Sequence, residues 1–201
     1  MVSELGPGEF TARVDQVISV YAAAMRPAAD TLAGRRSIMA GHAAYPGFRA
    51  LVVAEDDESG EPVGFGYGFR GTPGQWWHDT VARALAATRG AQAASAWLDS
   101  TFEVAELHVA PGYQGSGIGS GLLLRLTSGR PERTAVLSTR DAETRARRLY
   151  RGVGFTDLLT GFTFFPGGDP PYAVMGAELP LRSLPPGPGS ARLRWPSPSR
   201  W

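Results

Sequence analysis

The spacing of apolar residues predicts two helices near the start of the chain. Between positions 13 and 25, apolar side chains recur at intervals of three and four, as on one face of a helix: Val14, Val17, Ile18, Tyr21 and Met25. Pro27 should end this helix, because proline cannot continue the backbone hydrogen bonding. Asp30 or Thr31 can cap a second helix that ends near Ala44.

Continuous and alternating apolar runs predict strands on both sides of an acidic turn. The run Phe48 to Ala54 is strand-like, and from Pro62 to Arg70 bulky apolar residues alternate with glycines. The glycine face should lie under a closely packed helix or a narrow ligand. Residues 55–60 carry four adjacent acids, which lack the staggered spacing of a calcium loop and predict a solvated turn. Residues 1–11 predict a Gly-Pro-Gly turn and at most a short strand.

Residues 71–100 predict a helical insertion. Trp77, Val81 and Leu85 fall on one helical stripe, so Gln75 to Ala87 should be an amphipathic helix, followed by an Ala-rich piece that ends at Leu98. The insertion leads into a predicted strand from Thr101 to Ala110.

In that strand the apolar residues change parity, from even positions at Phe102 and Val104 to odd positions at Leu107 and Val109. Side chains alternate strictly along a strand. The change therefore predicts either burial on both faces or a β-bulge near Ala105 and Glu106.

The remaining elements follow in short alternation: a helix after position 118, a strand at Arg133–Thr139, a helix at Glu143–Gly152, and strands at Phe155–Leu159 and Pro171–Leu179. The last strand is expected to close the sheet. The fold class is α/β in the α+β sense, with one domain at 1–179. Residues 180–201 shift to Pro, Gly, Ser and Arg and predict a disordered tail.

A glycine-rich junction between strand and helix, within Phe102 to Arg125, predicts an anion site. The first amides of a helix have no intrahelical partner, and glycines let the bare backbone approach a phosphate. A Walker loop would need Lys and then Ser or Thr after its last glycine, but Ser120 and Gly121 follow Gly119. The dinucleotide fingerprint fails as well, because its third glycine would fall on Ser120 or Leu122.

Two motifs resemble those of the GNAT superfamily of acetyl-CoA-dependent N-acetyltransferases. Gln114 begins the pattern Q-x-x-G-x-G, with Val109 and Pro111 just before it. The segment Glu143 to Phe155 resembles the second signature, N-x-x-A-x-x-L-Y-x-x-x-G-F, with Glu143 where the family often has Asn. The resemblance covers about residues 10 to 179. It implies a mixed, mostly antiparallel sheet of six or seven strands flanked by helices, with a V-shaped splay between strands 4 and 5.

The resemblance also implies a cofactor site and a mechanism. Acetyl-CoA should contact the end of the fourth strand and the loop after it: Leu107, His108, Val109, Gln114, Gly115, Ser116, Gly117, Ile118, Gly119 and Ser120. The Val109 amide would donate to the thioester carbonyl, and the loop would bind the pyrophosphate. The sequence contains no cysteine, so the acceptor should attack the thioester directly without an acyl-enzyme.

Four residues are candidates for proton transfer. Glu103 and Glu106 lie on the strand that borders the thioester, and burial there would raise a carboxyl pKa toward that of a useful base. His108 is a less favoured base, and a rim carboxylate or salt bridge is the alternative role for either glutamate. By the same resemblance, the Tyr150 hydroxyl would protonate the departing thiolate.

The sequence is less informative about the residues that would bind the acceptor. The predicted helix pair walls the acceptor pocket in GNAT proteins, yet Arg35 and His42 within it read more simply as solvated or packed side chains. Trp76, Trp77 and His78 could line an aromatic or cationic substrate pocket, or Trp77 could instead anchor the insertion to the core.

The composition of the chain limits the classes of partner that we expect. The formal net charge is +1, so no global field attracts nucleic acid or a membrane, and no apolar run approaches the length of a membrane span. We expect a cytoplasmic N-acetyltransferase that acts on a small-molecule amine with acetyl-CoA, without a metal, and possibly as a homodimer. The alternatives are a protein N-terminal or lysine acetyltransferase and a non-catalytic acyl-CoA-binding module.

Overall fold

The computed structural model describes residues 1–55, 60–165 and 170–183. Most of the predicted acidic turn and almost all of the predicted tail lie outside these residues. The described part contains strands β1 (Val2–Leu5), β2 (Arg49–Ala54), β3 (Pro62–Gly71), β4 (Thr101–Val109), β5 (Thr134–Arg140), β6 (Thr156–Phe162) and β7 (Tyr172–Glu178). Its α-helices are α1 (Pro7–Ala12), α2 (Val14–Met25), α3 (Leu32–His42), α4 (Trp76–Arg89), α5 (Ala91–Leu98), α6 (Ile118–Thr127) and α7 (Arg145–Gly152).

The strands form one mixed sheet in the order β1-β2-β3-β4-β5-β7-β6. The pairs β1–β2, β2–β3, β5–β7 and β6–β7 are antiparallel, and β4–β5 is parallel. This arrangement confirms the predicted fold class. The β4–β5 ladder joins Thr101 to Thr134, Phe102 to Ala135 and Glu103 to Val136, so it covers only the first third of β4. The short ladder agrees with the predicted splay of strands 4 and 5.

The chain divides into two compact units. Within its described residues, the first comprises Met1–Gly68 and Glu106–Leu126, and the second runs over Phe69–Ala105 and 127–183. In the first unit, Phe10 is fully buried and packs edge-on against the rings of Phe48 and Tyr67, with centroids 5.1 Å apart in both pairs. In the second unit, α4 and α5 pack on the sheet through a buried cluster: Val81, Leu85, Ala94, Leu98, Val136, Leu158, Leu159 and Val174.

The first helix corrects the prediction of a turn near position 7. Pro7 occupies the first helical position, where its missing N–H is not needed. The Glu9 carboxylate accepts a hydrogen bond from the Gly6 N–H at 3.0 Å, which satisfies an amide at the helix start. Pro7 and Glu9 therefore start a helix here rather than a turn.

The last strand corrects a second prediction. β7 does not close the sheet; it lies between β5 and β6, and β6 forms the edge. Five consecutive residues of β7, 173–177, are buried, as expected of a strand with neighbours on both sides. Gly176 is required there, because a Cβ at this position would lie 2.8 Å from Leu158 Cδ1 and 2.8 Å from the Trp97 ring.

β4 changes parity between its two ends, as its apolar pattern predicted. At one end, a Cβ on Gly71 would lie 2.7 Å from Thr101 Cγ2, so these odd-numbered residues share a face. At the other end, the ring of the even-numbered His108 packs on that of the odd-numbered Phe65, 5.4 Å between centroids. The alternation of β4 relative to β3 has thus shifted by one residue, as a β-bulge would produce. Residues 101–104 are also all buried, so burial on both faces, the other predicted explanation, applies to the first half of the strand.

Candidate active site

The loop between β4 and α6 is built to expose backbone amides. It begins with a single 3-10 turn, Pro111–Tyr113, and Gly115 and Gly117 then adopt φ values of 84° and 92°. Such angles favour glycine, because other L-residues are strained there. Among the described residues, none accepts a hydrogen bond from the amides of residues 115–120. The first bond of α6 runs from the Gly121 N–H to the Gly117 carbonyl at 3.0 Å.

Side chains of the loop bond to the loop itself. Gln114 Nε2 donates to the Val109 carbonyl at 3.0 Å, and Ser120 Oγ donates to the Gly117 carbonyl at 2.8 Å. Ser116 Oγ donates to the Tyr113 carbonyl at 2.5 Å. These bonds stabilise the loop without using the backbone amides of residues 115–120, which can still donate hydrogen bonds to a ligand. The amides therefore suit an anionic ligand at the N-terminus of α6.

The glycines of β3 explain how α6 is positioned. A Cβ on Gly64 would lie 2.9 Å from Ile118 Cγ2, and one on Gly66 would lie 2.8 Å from Leu107 Cδ1 and 2.9 Å from Leu126 Cδ1. The element that packs on this glycine face is thus the helix α6. A closely packed helix was one of the two predicted possibilities. Since Ile118 is also the first residue of α6, the contact fixes the start of the helix and the loop before it.

An ion cluster with a buried carboxylate lies in the same unit, on β4 and α3. Glu106 is 8% exposed, and its two carboxylate oxygens have different partners. Oε1 lies 3.1 Å from Arg35 Nη1, and Oε2 lies 2.5 Å from His108 Nε2. We call Arg35, Glu106 and His108 the β4 triad. The structure brings together one predicted base, one predicted cofactor residue and an arginine that the sequence alone interprets as a solvated or packed side chain.

Aromatic side chains surround the β4 triad. The Tyr21 ring packs edge-on against His108 at 5.2 Å between centroids, and the Arg35 guanidinium lies 5.1 Å from the centre of the Tyr21 ring. Burial opposes the charge of Arg35, but the carboxylate of Glu106 and a hydrogen bond with Tyr21 outweigh it and raise the pKa of the guanidinium. Arg35 is therefore a permanent cation beside Glu106.

His42 lies next to the β4 triad and has a buried tyrosine as its hydrogen-bonding partner. Its Nδ1 is 3.0 Å from the hydroxyl of Tyr67, which is completely buried. Burial is the largest cause that lowers the pKa of His42, Arg35 acts in the same direction, and Glu106 opposes both. At neutral pH, His42 is consequently an uncharged hydrogen-bonding partner of Tyr67.

The inward orientation of Arg35 could have been predicted from the helix period. The buried hydrophobic residue of α3 is Met39, and Arg35 precedes it by four residues, which places both on one helix face. Its neighbour Arg36 points to the exposed side, where it pairs with Asp15 at 2.5 Å. Because both arginines look alike in sequence, only the Met39 spacing distinguishes them.

The other predicted base, Glu103, lies in the second unit and is isolated. It is 5% exposed, and its Oε2 is buried without a hydrogen-bond partner among the described residues. Burial raises the pKa of this carboxyl to about 8. Its partner in the parallel ladder is Val136, a member of the cluster beneath α4 and α5. Glu103 is thus a protonated acid at neutral pH, held in apolar surroundings.

The three α4 candidates have different surroundings. His78 is buried, with Nε2 3.2 Å from the Leu98 carbonyl and Nδ1 3.3 Å from Asp79, so it joins α4 to α5. Trp77 packs on the α4–α5 cluster and donates from Nε1 to Ser138 Oγ at 3.2 Å. Trp76 is 54% exposed and stacks on Phe165 at 5.5 Å between centroids. Of the three, Trp76 presents the most ring surface to a ligand.

Tyr150 lies on α7, also in the second unit. It is 7% exposed and packs against Phe155, with centroids 5.8 Å apart. Thr144 caps α7 by accepting from the Arg147 N–H at 3.1 Å. Glu143, the departure from the family signature, pairs with Arg151 at 2.6 Å. The substituted carboxylate, which precedes α7, is thus paired with an arginine of that helix.

The comparisons with known proteins agree on one family. Residues 47–157 match the model of the acetyltransferase (GNAT) domain. The chain is 35% identical, over an alignment of 202 residues, to the GCN5-like protein acetyltransferase Rv2170 of Mycobacterium tuberculosis, covering 89% of this chain and 97% of that protein. Among the described residues, no helix is long and apolar enough to cross a membrane.

Solved structures show the same fold at low identity. The ribosomal-protein-S18-alanine N-acetyltransferase from Escherichia coli has a TM-score of 0.59 and 16% identity, covering 89% of this chain and 92% of that one. The Salmonella typhimurium protein yncA, solved with its cofactor acetyl-CoA, has a TM-score of 0.56 and 17% identity, covering 92% and 96%. From its domain match and its relative in Mycobacterium tuberculosis, the chain belongs to the GNAT family of acetyltransferases.

Proposed function

We propose that the protein transfers an acetyl group from acetyl-CoA to a primary amine. The observation that carries this proposal is the loop at 114–120, whose amides face no acceptor among the described residues and precede the N-terminus of α6. Such amides fit the phosphates of a coenzyme. The structural neighbour solved with acetyl-CoA supports the choice of coenzyme. Leu107, His108 and Val109 at the end of β4 would contact its thioester end, as the family resemblance implies.

The chemistry requires proton transfers and the exchange of a C–S bond for a C–N bond. An acceptor ammonium first loses a proton to a base, and the neutral nitrogen then attacks the thioester carbonyl carbon. The C–S bond breaks as the amide forms, and the departing thiolate takes up a proton. Because the chain contains no cysteine, we propose direct attack without a cysteinyl acyl-enzyme. The base belongs to the β4 triad, where a carboxylate and an imidazole lie together.

Glu103 is less suited to act as that base. A carboxyl whose pKa is about 8 is largely protonated at neutral pH, and its Oε2 is buried. It would therefore have to be deprotonated before each turnover. We accordingly assign the base to the triad and keep Glu103 as a structural acid whose charge state depends on pH.

Tyr150 is the proposed donor of the proton to the thiolate, on the basis of the family signature that it completes. Replacing Tyr150 with Phe keeps the buried ring that packs on Phe155 and removes the hydroxyl. We expect kcat to fall by about 10- to 100-fold, with acetyl-CoA affinity within about threefold of wild type. Steady-state kinetics and calorimetry would measure the two quantities. An unchanged kcat would remove Tyr150 as the acid.

The acceptor is proposed to be a protein amine, either a lysine or an N-terminal amine. The relative with 35% identity is named a protein acetyltransferase, and the alignment spans nearly all of both chains. Near-neutral charge and the tryptophan-bearing α4 favour instead a small-molecule amine, which stays the second candidate.

Release of free thiol from acetyl-CoA tests the proposal and separates the two acceptors. One panel would contain peptides with a free α-amine or a lysine, and the other would contain polyamines, aminoglycosides and aryl-alkyl amines. Each product would be identified by a mass increase of one acetyl group. Release with peptides alone supports the protein acceptor, and release with small amines alone supports the second candidate. No release with any amine would leave only the acyl-CoA-binding alternative.

A further inference from the structure

We propose that His108, and not a glutamate, takes the proton from the acceptor amine, and that Arg35 and Glu106 hold it for this role. This assignment rests on the proposed acetyl transfer and names the group that performs one of its steps. It differs from the expectation drawn from the sequence, which favoured Glu103 or Glu106 as the base. Four observations in the first unit lead to it.

The first observation is that Glu106 is fully engaged. Its Oε1 contacts the Arg35 guanidinium at 3.1 Å, and its Oε2 contacts His108 at 2.5 Å. Both oxygens already have partners and only 8% of the residue is exposed, so Glu106 is placed to act through its neighbour His108.

The second observation is which nitrogen of His108 contacts Glu106. An ionised carboxylate can only accept a hydrogen bond, so Nε2 must carry the proton at this contact. In the neutral ring, that leaves the lone pair on Nδ1. No described residue is bonded to Nδ1. Glu106 thus selects the tautomer whose free nitrogen is a base and would stabilise the imidazolium that forms, a positioning role.

The third observation is access. The His108 side chain is 12% exposed, so the ring is held firmly but is not sealed from solvent. By comparison, the Glu103 Oε2 is completely buried. Tyr21 packs edge-on on one side of His108 and Phe65 lies on another, which restricts the ring to one orientation.

The fourth observation is the set of charges around the ring. Its own strand contributes Glu106, α3 contributes Arg35 and His42, α2 contributes Tyr21, and β3 contributes Tyr67. Of these, His42 is kept neutral by burial and by Arg35, and it already bonds to Tyr67. His108 therefore has one anion and one cation close by, and the cation is neutralised by that anion.

In the proposed step, the lone pair of His108 Nδ1 takes one proton from the acceptor ammonium, which gives an imidazolium and a neutral amine. The amine attacks the thioester and loses its second proton to solvent as the amide forms. The departing thiolate takes its proton from the Tyr150 hydroxyl, which is then reprotonated from solvent. The imidazolium then returns its proton to solvent. The net products are the acetylated amine, free coenzyme A and one proton.

The test compares the pH dependence of kcat/KM for His108→Gln, Glu106→Gln, Arg35→Met and Arg35→Lys with that of wild type. Arg36→Met is the matched control, because Arg36 is the adjacent residue of α3 and pairs with Asp15 on the exposed side. Calorimetric titration with acetyl-CoA shows for each variant whether the coenzyme site is intact. Thermal melting shows whether each variant is folded.

We expect His108→Gln to lower kcat about 100-fold or more and to remove the acid limb of the profile, with acetyl-CoA affinity within about threefold. Glu106→Gln and Arg35→Met should lower kcat by a smaller factor and displace the acid limb, because they change the environment of a base that is still present. Arg35→Lys should restore part of the loss, and Arg36→Met should match wild type.

Two results would overturn the assignment. If His108→Gln keeps its kcat and its acid limb while Glu106→Gln loses both, the carboxylate is the base. If NMR of ¹⁵N-labelled wild type shows His108 with its proton on Nδ1 in the neutral ring, the tautomer is wrong whatever the activity. The failure of acetyl transfer itself would appear differently, as a wild-type protein that binds acetyl-CoA and releases no thiol with any amine.

Discussion

At the scale of single residues, the buried acid Glu103 couples folding to pH. Its pKa is raised from 4.5 to about 8 by burial, so the folded state holds a proton that the unfolded state has already lost between these values. Below that window both states are protonated and the burial costs little. Stability is therefore expected to fall as pH rises through the window, by about 1.4 kcal/mol per pH unit.

The Glu103→Gln variant tests this coupling. It keeps the size of the side chain and removes its titration, so its Tm should lose about 3 °C less per pH unit than that of wild type between pH 5 and 8. Differential scanning calorimetry across this range measures the difference. Glu178→Gln, exposed at the end of β7, is the control and should follow wild type. Parallel curves for wild type and Glu103→Gln would mean that Glu103 finds a partner or solvent.

At the scale of elements, the contact between β3 and α6 depends on missing side chains. Gly66→Ala places a methyl group 2.8 Å from Leu107 Cδ1 and 2.9 Å from Leu126 Cδ1. We expect it to lower the free energy of unfolding by about 1–3 kcal/mol. Gly34→Ala, in a helix with no atom within 4 Å of the new methyl, should raise it by about 0.5–1 kcal/mol. Urea denaturation compares them, and equal midpoints would contradict the close packing.

The two tryptophans of α4 are expected to have different roles: Trp77 in packing, and Trp76 in contact with a ligand. Trp77→Ala removes a ring from the α4–α5 cluster and its bond to Ser138, so we expect a loss of about 3 kcal/mol in unfolding free energy. Trp76→Ala removes an exposed ring and should change stability by less than about 1 kcal/mol. If Trp76 lines the acceptor site, its variant should raise the KM for the amine without affecting acetyl-CoA. An unchanged KM would remove Trp76 from that site.

At the scale of the whole molecule, local patterns carried most of the information about the fold. The glycine loop and α6 were predictable because backbone freedom at Gly115 and Gly117 and the leucine spacing are local properties. The parity change in β4 was likewise visible in the sequence. The place of β7 was missed, although its continuous apolar run at 173–177 is typical of a central strand.

The candidate site was less accessible to sequence reasoning. Glu106 and His108 were recognised from their strand, but their contact with Arg35 joins residues 71 positions apart and depends on tertiary packing. The sequence gives no indication of which glutamate is paired and which is isolated. That difference, one carboxylate beside a guanidinium and the other in an apolar layer, determines the role that each can play.

Calorimetric titration with acetyl-CoA tests the central claim, that the loop at 114–120 binds the coenzyme. Wild type should bind one equivalent, and Gly117→Asp should weaken binding at least about tenfold, because a carboxylate there repels phosphate and Gly117 has a φ of 92°. Gly112→Ala, in the 3-10 turn where no atom lies within 4 Å of the new methyl, should bind like wild type. Equal affinity of wild type and a folded Gly117→Asp variant would contradict the assignment of this loop.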